Sequence, residues 1–198
     1  MDAKALIEDT LGVVLVGGAS RRMGRDKASI EFNGSTLLVR ACAVLSEVFT
    51  SVVISGGDAA PSGIRIMPDL VSGLGPLGGL DTAYRAAAGR DVFLLAVDMP
   101  FVDAQTVRDI VEPPIDAMSV RVPVASGRRQ PLCAVYGSGL GPVVRDRIEG
   151  KDRSMESLFG GVDVAEITSF DDDVFTNVNT QADLDEALKR IGRHRSTR

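Results

Sequence analysis

Short apolar runs alternate along this chain with longer segments whose apolar residues recur at helical spacing. The segment 11–16 is an unbroken apolar run that stops at Gly17, as expected for a strand buried on both faces of a sheet. In the segment 35–48, apolar residues recur on one face, which predicts an amphipathic helix that Ser35 or Thr36 caps. The other predicted strands cover 51–55, 64–67, 91–97, 120–125, 131–136 and 162–167.

Glycine, proline and capping residues mark the ends of the other predicted helices. The Gly-Pro pair at 75–76 suits a helix start, and Gly89 suits its end. Thr180 and Asp183 have the spacing of a capping box, which predicts a last helix that stops near Gly192. Further helices are predicted at 103–111, 143–148 and 154–159.

This alternation of strands and helices indicates an α/β fold. It predicts a single Rossmann-like domain over residues 1–198, with a mostly parallel sheet flanked by helices and joined by right-handed crossovers. In such sheets ligands bind beyond the carboxyl ends of the strands. The loops that follow 11–16, 64–67 and 91–97 are therefore where we expect the chemistry.

The loop 17–27 combines glycines with a cluster of basic side chains. Gly17, Gly18 and a third glycine allow backbone N–H groups to turn towards a phosphate chain, and Arg22, Lys27 and two further arginines add positive charge. The loop lacks the Gly-Lys-Ser/Thr ending of a Walker A motif. We interpret it as a polyphosphate-binding loop; the alternative is a solvated basic turn.

A second glycine-rich segment, 73–80, follows Asp69. Gly75 stands at the start of a predicted helix, whose N-terminus would lie beside an anion. The alternative is a glycine turn before an ordinary capped helix, with Asp69 as a turn or cap residue.

Asp98 follows the clearest predicted strand, 91–97. A carboxylate at the end of a buried strand is a natural Mg²⁺ ligand, because magnesium often takes one or two carboxylates and completes its octahedron with phosphates and waters. The alternative is an aspartate that caps the helix beginning near Asp103.

These three loops together resemble the molybdenum cofactor guanylyltransferase branch of the nucleotidyltransferases. The Gly-Gly pair, Arg-Met-Gly and Asp-Lys of the first loop carry the resemblance, together with the Gly-Pro-Leu-Gly-Gly-Leu run at 75–80. The likeness extends from about residue 11 to 191. It implies a nucleotide-binding half at 11–112 and an acceptor-binding half at 115–191.

The resemblance also implies a role for individual residues. It implies that GTP and molybdopterin are the substrates, that Mg²⁺ is the cofactor, and that Asp98 holds the metal. The terminal phosphate of molybdopterin would attack the α-phosphorus of GTP and release pyrophosphate. The catalytic residues implied are Arg22, Lys27 and Asp98; the nucleotide-binding residues are Leu15, Val16, Gly17, Gly18, Lys27, Ser55, Asp69, Gly75 and Asp98; and the acceptor-binding residues are Gln130, Asn177 and Asn179.

Composition narrows the remaining classes of function. The net charge of −5 argues against a protein that coats nucleic acid. The two cysteines, Cys42 and Cys133, lie in apolar surroundings that suit a reducing cytosol, and no apolar run is long enough to span a membrane. We therefore expect a cytoplasmic protein that contacts neither membrane nor nucleic acid, with transient contacts to molybdoenzymes or their chaperones.

Three rival functions stay open at this point. A related transferase that handles CTP or another nucleotide, with a different acceptor, is the nearest alternative, although the cytidylyltransferase relatives tend to have alanines where this chain has Gly17 and Gly18. The pattern Gly73-x-Gly75-x-x-Gly78 also matches a dinucleotide-binding loop, although five residues separate it from the preceding strand. A non-catalytic binding module is the third alternative, and the intact set of Lys27, Asp69 and Asp98 argues against it.

Overall fold

The fold is built around a central β-sheet. This computed structural model describes residues 4–17, 27–68, 73–150 and 152–195, without the side chains of 194 and 195. The core strands of the sheet are short and apolar because they are covered on both faces; all six residues of the first strand are buried. The described strands are β1 (Thr10–Leu15), β2 (Glu31–Phe32), β3 (Ser35–Thr36), β4 (Val52–Ser55), β5 (Arg65–Met67), β6 (Asp91–Ala96), β7 (Ser119–Ala125), β8 (Arg128–Arg129), β9 (Cys133–Tyr136) and β10 (Asp163–Ile167).

The sheet has the strand order β10-β7-β9-β6-β1-β4-β5, and β8 pairs with β7. Neighbouring strands run parallel except at β9, which is antiparallel to both β6 and β7, and at the short β8. This arrangement confirms the predicted α/β class with a mostly parallel sheet. The pair β2 and β3 forms a separate antiparallel ribbon.

Helices cover both faces of the sheet. One face carries α1, α3 and α6, and the other carries α2, α4 and α5; each set buries its own apolar cluster against the strands. None of the helices described here has the length and apolar character needed to cross a membrane. The helices are α1 (Leu37–Ser46), α2 (Gly75–Ala87), α3 (Ala104–Val111), α4 (Gly141–Glu149), α5 (Met155–Leu158) and α6 (Gln181–Arg195).

Two helix ends differ from the sequence prediction. The first helix begins at Leu37, because the two residues before it pair with β2; Thr36 is the cap, and its Oγ1 accepts from the Val39 N–H at 3.2 Å. The predicted stop of the last helix at Gly192 is wrong, since α6 continues to Arg195. This continuation allows Arg193 to pair with Glu186 at 2.8 Å, which offsets part of the cost of about 1 kcal/mol for a helical glycine.

The segment 126–129, which joins the predicted strands 120–125 and 131–136, contains a turn and a short strand of its own. Ser126 and Gly127 both have positive φ, 49° and 70°, which is the geometry of a tight type I′ hairpin turn. The turn lets Arg129 pair with Val124 across β7 and β8. The chain then re-enters the sheet as β9, between β7 and β6.

The predicted capping box at the start of α6 is confirmed. The Asp183 N–H donates to Thr180 Oγ1 at 3.2 Å, and the Thr180 N–H donates to Asp183 Oδ2 at 2.8 Å. The same Oδ2 accepts from the Asn179 N–H at 2.9 Å. These donors, with Asn179 first, lower the pKa of Asp183 from its usual value, and the positive charge of Lys27 acts in the same direction.

Replacing Asp183 by alanine should destabilise the protein in a pH-dependent way. At neutral pH we expect the free energy of unfolding to fall by about 1 kcal/mol, the usual cost of a lost cap. The folded-state pKa is depressed, so the stabilisation is full above the unfolded pKa of about 3.9 and is lost as pH falls through the folded value. Urea unfolding of both proteins at neutral and acid pH measures this.

The matched control is Asp185→Ala, an exposed aspartate on the same turn that binds only the Gln181 side chain among the contacts described. We expect a change within about 0.5 kcal/mol for that variant. A loss in Asp183→Ala that stayed constant into acid would contradict the role of its carboxylate.

Candidate active site

The carboxyl ends of the central strands lie in register at one edge of the sheet. Leu15 is opposite Ser55 on one side and opposite Ala96 on the other, and Ser55 is opposite Met67. The loops that follow β1, β5 and β6 therefore leave the sheet together, where the sequence predicted ligand binding. Two backbone bonds extend this row: Val16 N–H donates to Ser55 O at 2.9 Å and Val97 N–H donates to Leu15 O at 3.2 Å.

Lys27, Asp98 and Asn179 meet at this edge. The Lys27 ammonium donates to Asp98 Oδ2 at 2.8 Å and to Asn179 Oδ1 at 2.5 Å. The side chains of Lys27 and Asp98 are only 21% and 15% exposed, so solvent weakens their attraction less than it would at an open surface. The fold thus brings together one cation and two oxygen groups from the beginning, middle and end of the chain.

Backbone contacts hold the two oxygen groups in place. Asp98 lies in the turn after β6, and its carbonyl oxygen accepts from the Val178 N–H at 2.8 Å. Val178 is itself fully buried in the core. Asn179 is the next residue, and its backbone N–H donates to the carboxylate of Asp183, which holds it in place. Sequence analysis identified Asp183 only as a helix cap; the structure shows that it also positions a residue of the site, a role that the capping-box spacing alone does not reveal.

The predicted nucleotide-binding residues of β1 divide into buried and exposed positions. Leu15 and Val16 are buried, at 8% and 6% exposure, so only their backbone can reach a ligand without rearrangement. Gly17 is exposed and has open space where a Cβ would stand. Gly18 and Arg22 lie outside the described residues, as does Asp69.

Ser55 has a packing role in this structure. Ser55 is only 1% exposed, and its Oγ donates a long hydrogen bond of 3.5 Å to the carbonyl oxygen of Gly79 in α2. A Cβ on Gly79 would lie 2.3 Å from Leu15 Cδ1, so the absence of a side chain allows α2 to approach β1 and β4. The predicted contact of Ser55 with the base or ribose stays a prediction.

Gly75 begins α2 with a positive φ of 60° and open space around its Cα. Pro76 occupies the first turn, and no described side chain caps the helix through Leu74. The N-terminus of this 13-residue helix thus keeps backbone donors that an anion can accept. The predicted contact of this helix N-terminus with a phosphate stays a prediction.

The predicted acceptor-binding residues do not all lie together. Asn179 contacts Lys27, whereas Asn177 is half-buried and has a weak contact of 3.5 Å with the Phe175 carbonyl oxygen. Gln130 lies at the β8 hairpin, where its N–H donates to the Pro123 carbonyl oxygen at 2.8 Å. No described contact joins Gln130 to Lys27 or to either asparagine.

The donor atoms at the edge are compatible with a magnesium ion. Among the described residues, no group of three or more His, Cys, Asp or Glu side chains could hold a metal by itself. Magnesium does not need such a cage in nucleotide enzymes, since it binds one or two carboxylates and substrate phosphates. Asp98 and Asn179 offer a carboxylate and an amide oxygen, which already surround one cation, the Lys27 ammonium.

Comparisons with known proteins identify the family of this chain. A family model described as MobA-like NTP transferase domain matches residues 12–164. A protein of Pelotomaculum thermopropionicum named "Probable molybdenum cofactor guanylyltransferase" is 34% identical over 186 residues, which cover 89% of this chain and 90% of the relative. A protein of Mycobacterium marinum with the same name is 34% identical over 181 residues, covering 87% and 90%.

The fold has a solved counterpart in Archaeoglobus fulgidus. The structure of molybdopterin-guanine dinucleotide biosynthesis protein A from that organism superposes with a TM-score of 0.75 at 22% identity, covering 92% of this chain and 99% of the other. At this identity the likeness shows a shared fold. On the family model and the two relatives together, this chain belongs to the family of MobA-like NTP transferases.

Proposed function

We propose that this protein transfers GMP from GTP to the terminal phosphate of molybdenum-bearing molybdopterin, forming the guanine dinucleotide cofactor and releasing pyrophosphate. The names of the relatives support the substrates. The observation that carries the proposal in this chain is the meeting of Lys27, Asp98 and Asn179 at the carboxyl edge of the sheet.

The reaction joins one phosphate to another. An oxygen of the acceptor phosphate forms a bond to the α-phosphorus of GTP, and the bond from that phosphorus to the β-phosphate bridging oxygen breaks, so that pyrophosphate leaves with the electron pair. A phosphate monoester is largely dianionic at neutral pH, with a second pKa of about 6, so the nucleophile needs no general base. This agrees with a chain whose sole histidine is His194, in its last residues.

The work of the protein is then to bring two anions together. Lys27 donates a compact positive charge, and the N-terminus of α2 donates backbone N–H groups, to the polyphosphate. Fixed donors in a partly buried site stabilise developing charge without reorganising during the reaction. Arg22, in the loop before Lys27, is proposed as a further phosphate ligand.

Asp98 and Asn179 would hold Mg²⁺ through oxygen atoms. When bound, Mg²⁺ supplies charge neutralisation between the two phosphates and orients them. The Lys27 ammonium contacts the same two oxygen groups. From this position Lys27 would donate its positive charge to the phosphates of a bound nucleotide.

The proposal also includes where in the cell the reaction takes place, which is the cytoplasm. Cys42 and Cys133 are both unpaired and buried, as suits a reducing cytoplasm. Delivery of the product by transient contact with molybdoenzymes or their chaperones is part of the proposal.

A thermal-shift panel tests nucleotide choice. GTP, CTP, ATP and NADH are each added with and without Mg²⁺. A ligand at about 100 times its Kd stabilises by roughly 2.7 kcal/mol, or a few degrees for a protein of this size. We expect the largest rise in Tm with GTP and Mg²⁺ together. A larger response to CTP would overturn guanine selectivity, and a response to NADH alone would overturn the transferase site.

Asp98→Asn should abolish most transfer activity. The substitution keeps the shape of the side chain and removes its negative charge, so it weakens both the ion pair with Lys27 and the proposed metal ligand. We expect kcat/KM to fall by about a hundredfold or more, the scale of losing one strong transition-state stabiliser. Pyrophosphate release with molybdopterin as acceptor measures the rate.

Asp109→Asn is the matched control, since Asp109 is an exposed aspartate on α3 that binds only Gln105 among the described contacts. That variant should keep the wild-type rate. Near-normal turnover of Asp98→Asn, with the same Mg²⁺ requirement as the wild type, would refute the metal assignment.

A further inference from the structure

Phe101 lies in the turn that carries Asp98, three positions after it. Its ring makes an edge-to-face contact with Phe32, with the ring centroids 5.7 Å apart and the ring planes at 89°. The guanidinium of Arg190 lies over the same ring, 4.3 Å from the centroid. Both distances are in the range of favourable aromatic and cation–π contacts. One half-buried side chain thus joins the turn after β6 to two other parts of the chain.

Phe32 connects Phe101 to the segment that supplies Lys27. Phe32 is buried at 1% exposure in β2, five positions after Lys27, and the chain between them begins with a single 3-10 turn. Arg40 of α1 joins the same contact, since its guanidinium lies 5.8 Å from the centroid of the Phe32 ring. Its Nε donates to the carbonyl oxygen of Pro100, the residue before Phe101. The segment that follows Lys27 is therefore held against the turn after β6 at two points.

Arg190 connects Phe101 to the segment that supplies Asn179. Its guanidinium donates to the Asp173 carbonyl oxygen at 3.0 Å and lies 3.3 Å from the Asp173 carboxylate. Because Asp173 precedes Asn179 and Arg190 follows it in α6, these contacts fasten the segment on both sides of the amide. The Arg190 side chain is only 24% exposed, so solvent screens its charge incompletely. The segment is thereby held against the Phe101 ring.

The described backbone bonds within the turn that carries Asp98 are long. The Met99 N–H reaches the Ala96 carbonyl oxygen at 3.3 Å, and the Val102 N–H reaches the Met99 carbonyl oxygen at 3.4 Å. Both lengths exceed the usual range for N–H···O bonds. The shorter bond to this turn, 2.8 Å from the Val178 N–H to the Asp98 carbonyl oxygen, comes from a residue outside it. The position of the Asp98 carboxylate therefore depends on contacts from outside the turn.

We propose that Phe101 and Arg190 are positioning residues of the transfer reaction. The Phe101 ring, with Arg190 over it, keeps Asp98 where its carboxylate meets the Lys27 ammonium. The proposal rests on the proposed function, since it concerns the same site. A displacement of about 1 Å at a reacting site can lower the rate by about a hundredfold, so contacts that take no part in the chemistry still determine the rate.

Phe101→Leu tests this role, because it removes the flat ring and keeps an apolar side chain. We expect kcat to fall by about tenfold or more through misplacement of Asp98, while the KM for GTP changes little. Phe101→Tyr keeps the ring and both of its contacts, so it should restore the wild-type kcat. Pyrophosphate release at saturating GTP measures these rates.

Amide hydrogen exchange follows the position of the turn without substrate or metal. The Val178 N–H is bonded to the Asp98 carbonyl oxygen in a fully buried residue, so its exchange in the wild type should be slow. We expect this exchange to be about tenfold faster or more in Phe101→Leu and unchanged in Phe101→Tyr. Leu94, fully buried in the middle of β6, is the internal reference, and its protection should stay as in the wild type.

Phe170→Leu is the matched control. Phe170 is also half-buried and forms an edge-to-face pair with Phe175, at 5.6 Å between ring centroids. No described contact joins its ring to Asp98 or Lys27. That variant loses a similar aromatic contact and should keep both the wild-type kcat and the slow exchange of Val178.

Arg190→Gln is the second test variant, because it removes the cation over the Phe101 ring and leaves the ring in place. It should lower kcat and speed the exchange of Val178 in the same direction as Phe101→Leu. Its control is Arg193→Gln, since Arg193 lies on the same helix with a side chain that is 70% exposed. We expect that control to turn over at the wild-type rate.

Wild-type kcat and slow Val178 exchange in both Phe101→Leu and Arg190→Gln would overturn the positioning role, as would an equal loss of kcat in Phe170→Leu. If Phe101→Leu does not fold, the same two measurements on Arg190→Gln decide the question. Absence of transfer by the wild type would reject the proposed function instead, and the exchange of Val178 would still show whether Phe101 holds the turn.

Discussion

The parallel pairing of β1 with β4 and β6 is the constraint on which the site depends. Because Leu15 is in register with both Ser55 and Ala96, the chain must leave the sheet at the same level in three loops. A slip of one residue would turn every side chain of β1 to the other face and bring a larger residue to the place of Gly12, where a Cβ would lie 2.7 Å from Phe49 Cδ2, so close packing specifies the register. The position of Asp98 is thus a consequence of core packing.

The far end of the chain completes the site that this register begins. Val178 is buried and donates to the carbonyl oxygen of Asp98, and the capping box that follows fixes Asn179. Arg190 of α6 lies over the Phe101 ring at 4.3 Å from its centroid, which secures the helix beside the loop after β6. A local cap therefore has a long-range effect: the carboxylate that starts α6 also sets where an amide oxygen meets Lys27.

The sequence predicted the six helices, the α/β class and the longer strands of the sheet, because each depends on local pattern; the short strands β2, β3 and β8 were missed. It also identified Lys27, Asp98 and Asn179, but it assigned Asn179 to the acceptor and Lys27 to the nucleotide, and only the fold shows that they touch. Their separation of 152 positions leaves no periodic signal. The packing role of Ser55 was equally hidden, since it depends on how closely Gly79 lets α2 approach the sheet. The continuation of α6 through Gly192 was missed because the pairing of Arg193 with Glu186, which offsets part of the intrinsic cost of a glycine, is not part of a capping pattern.

The antiparallel strand β9 separates the strands β10 and β7 from the strands β6, β1, β4 and β5. On one side of β6, the strand β1 leads to Gly17, and β5 precedes the N-terminus of α2, whose backbone N–H groups can bind an anion. On the other side, β7 and β10 end at a cavity where positive and negative side chains neutralise one another. Asp98 leaves the sheet from β6, between these two regions, and β9 enters the sheet next to it through the bond between Leu132 and Ala96. Because β9 lies between β6 and β7, one strand separates the carboxylate that follows β6 from the charged side chains at the ends of β7 and β10.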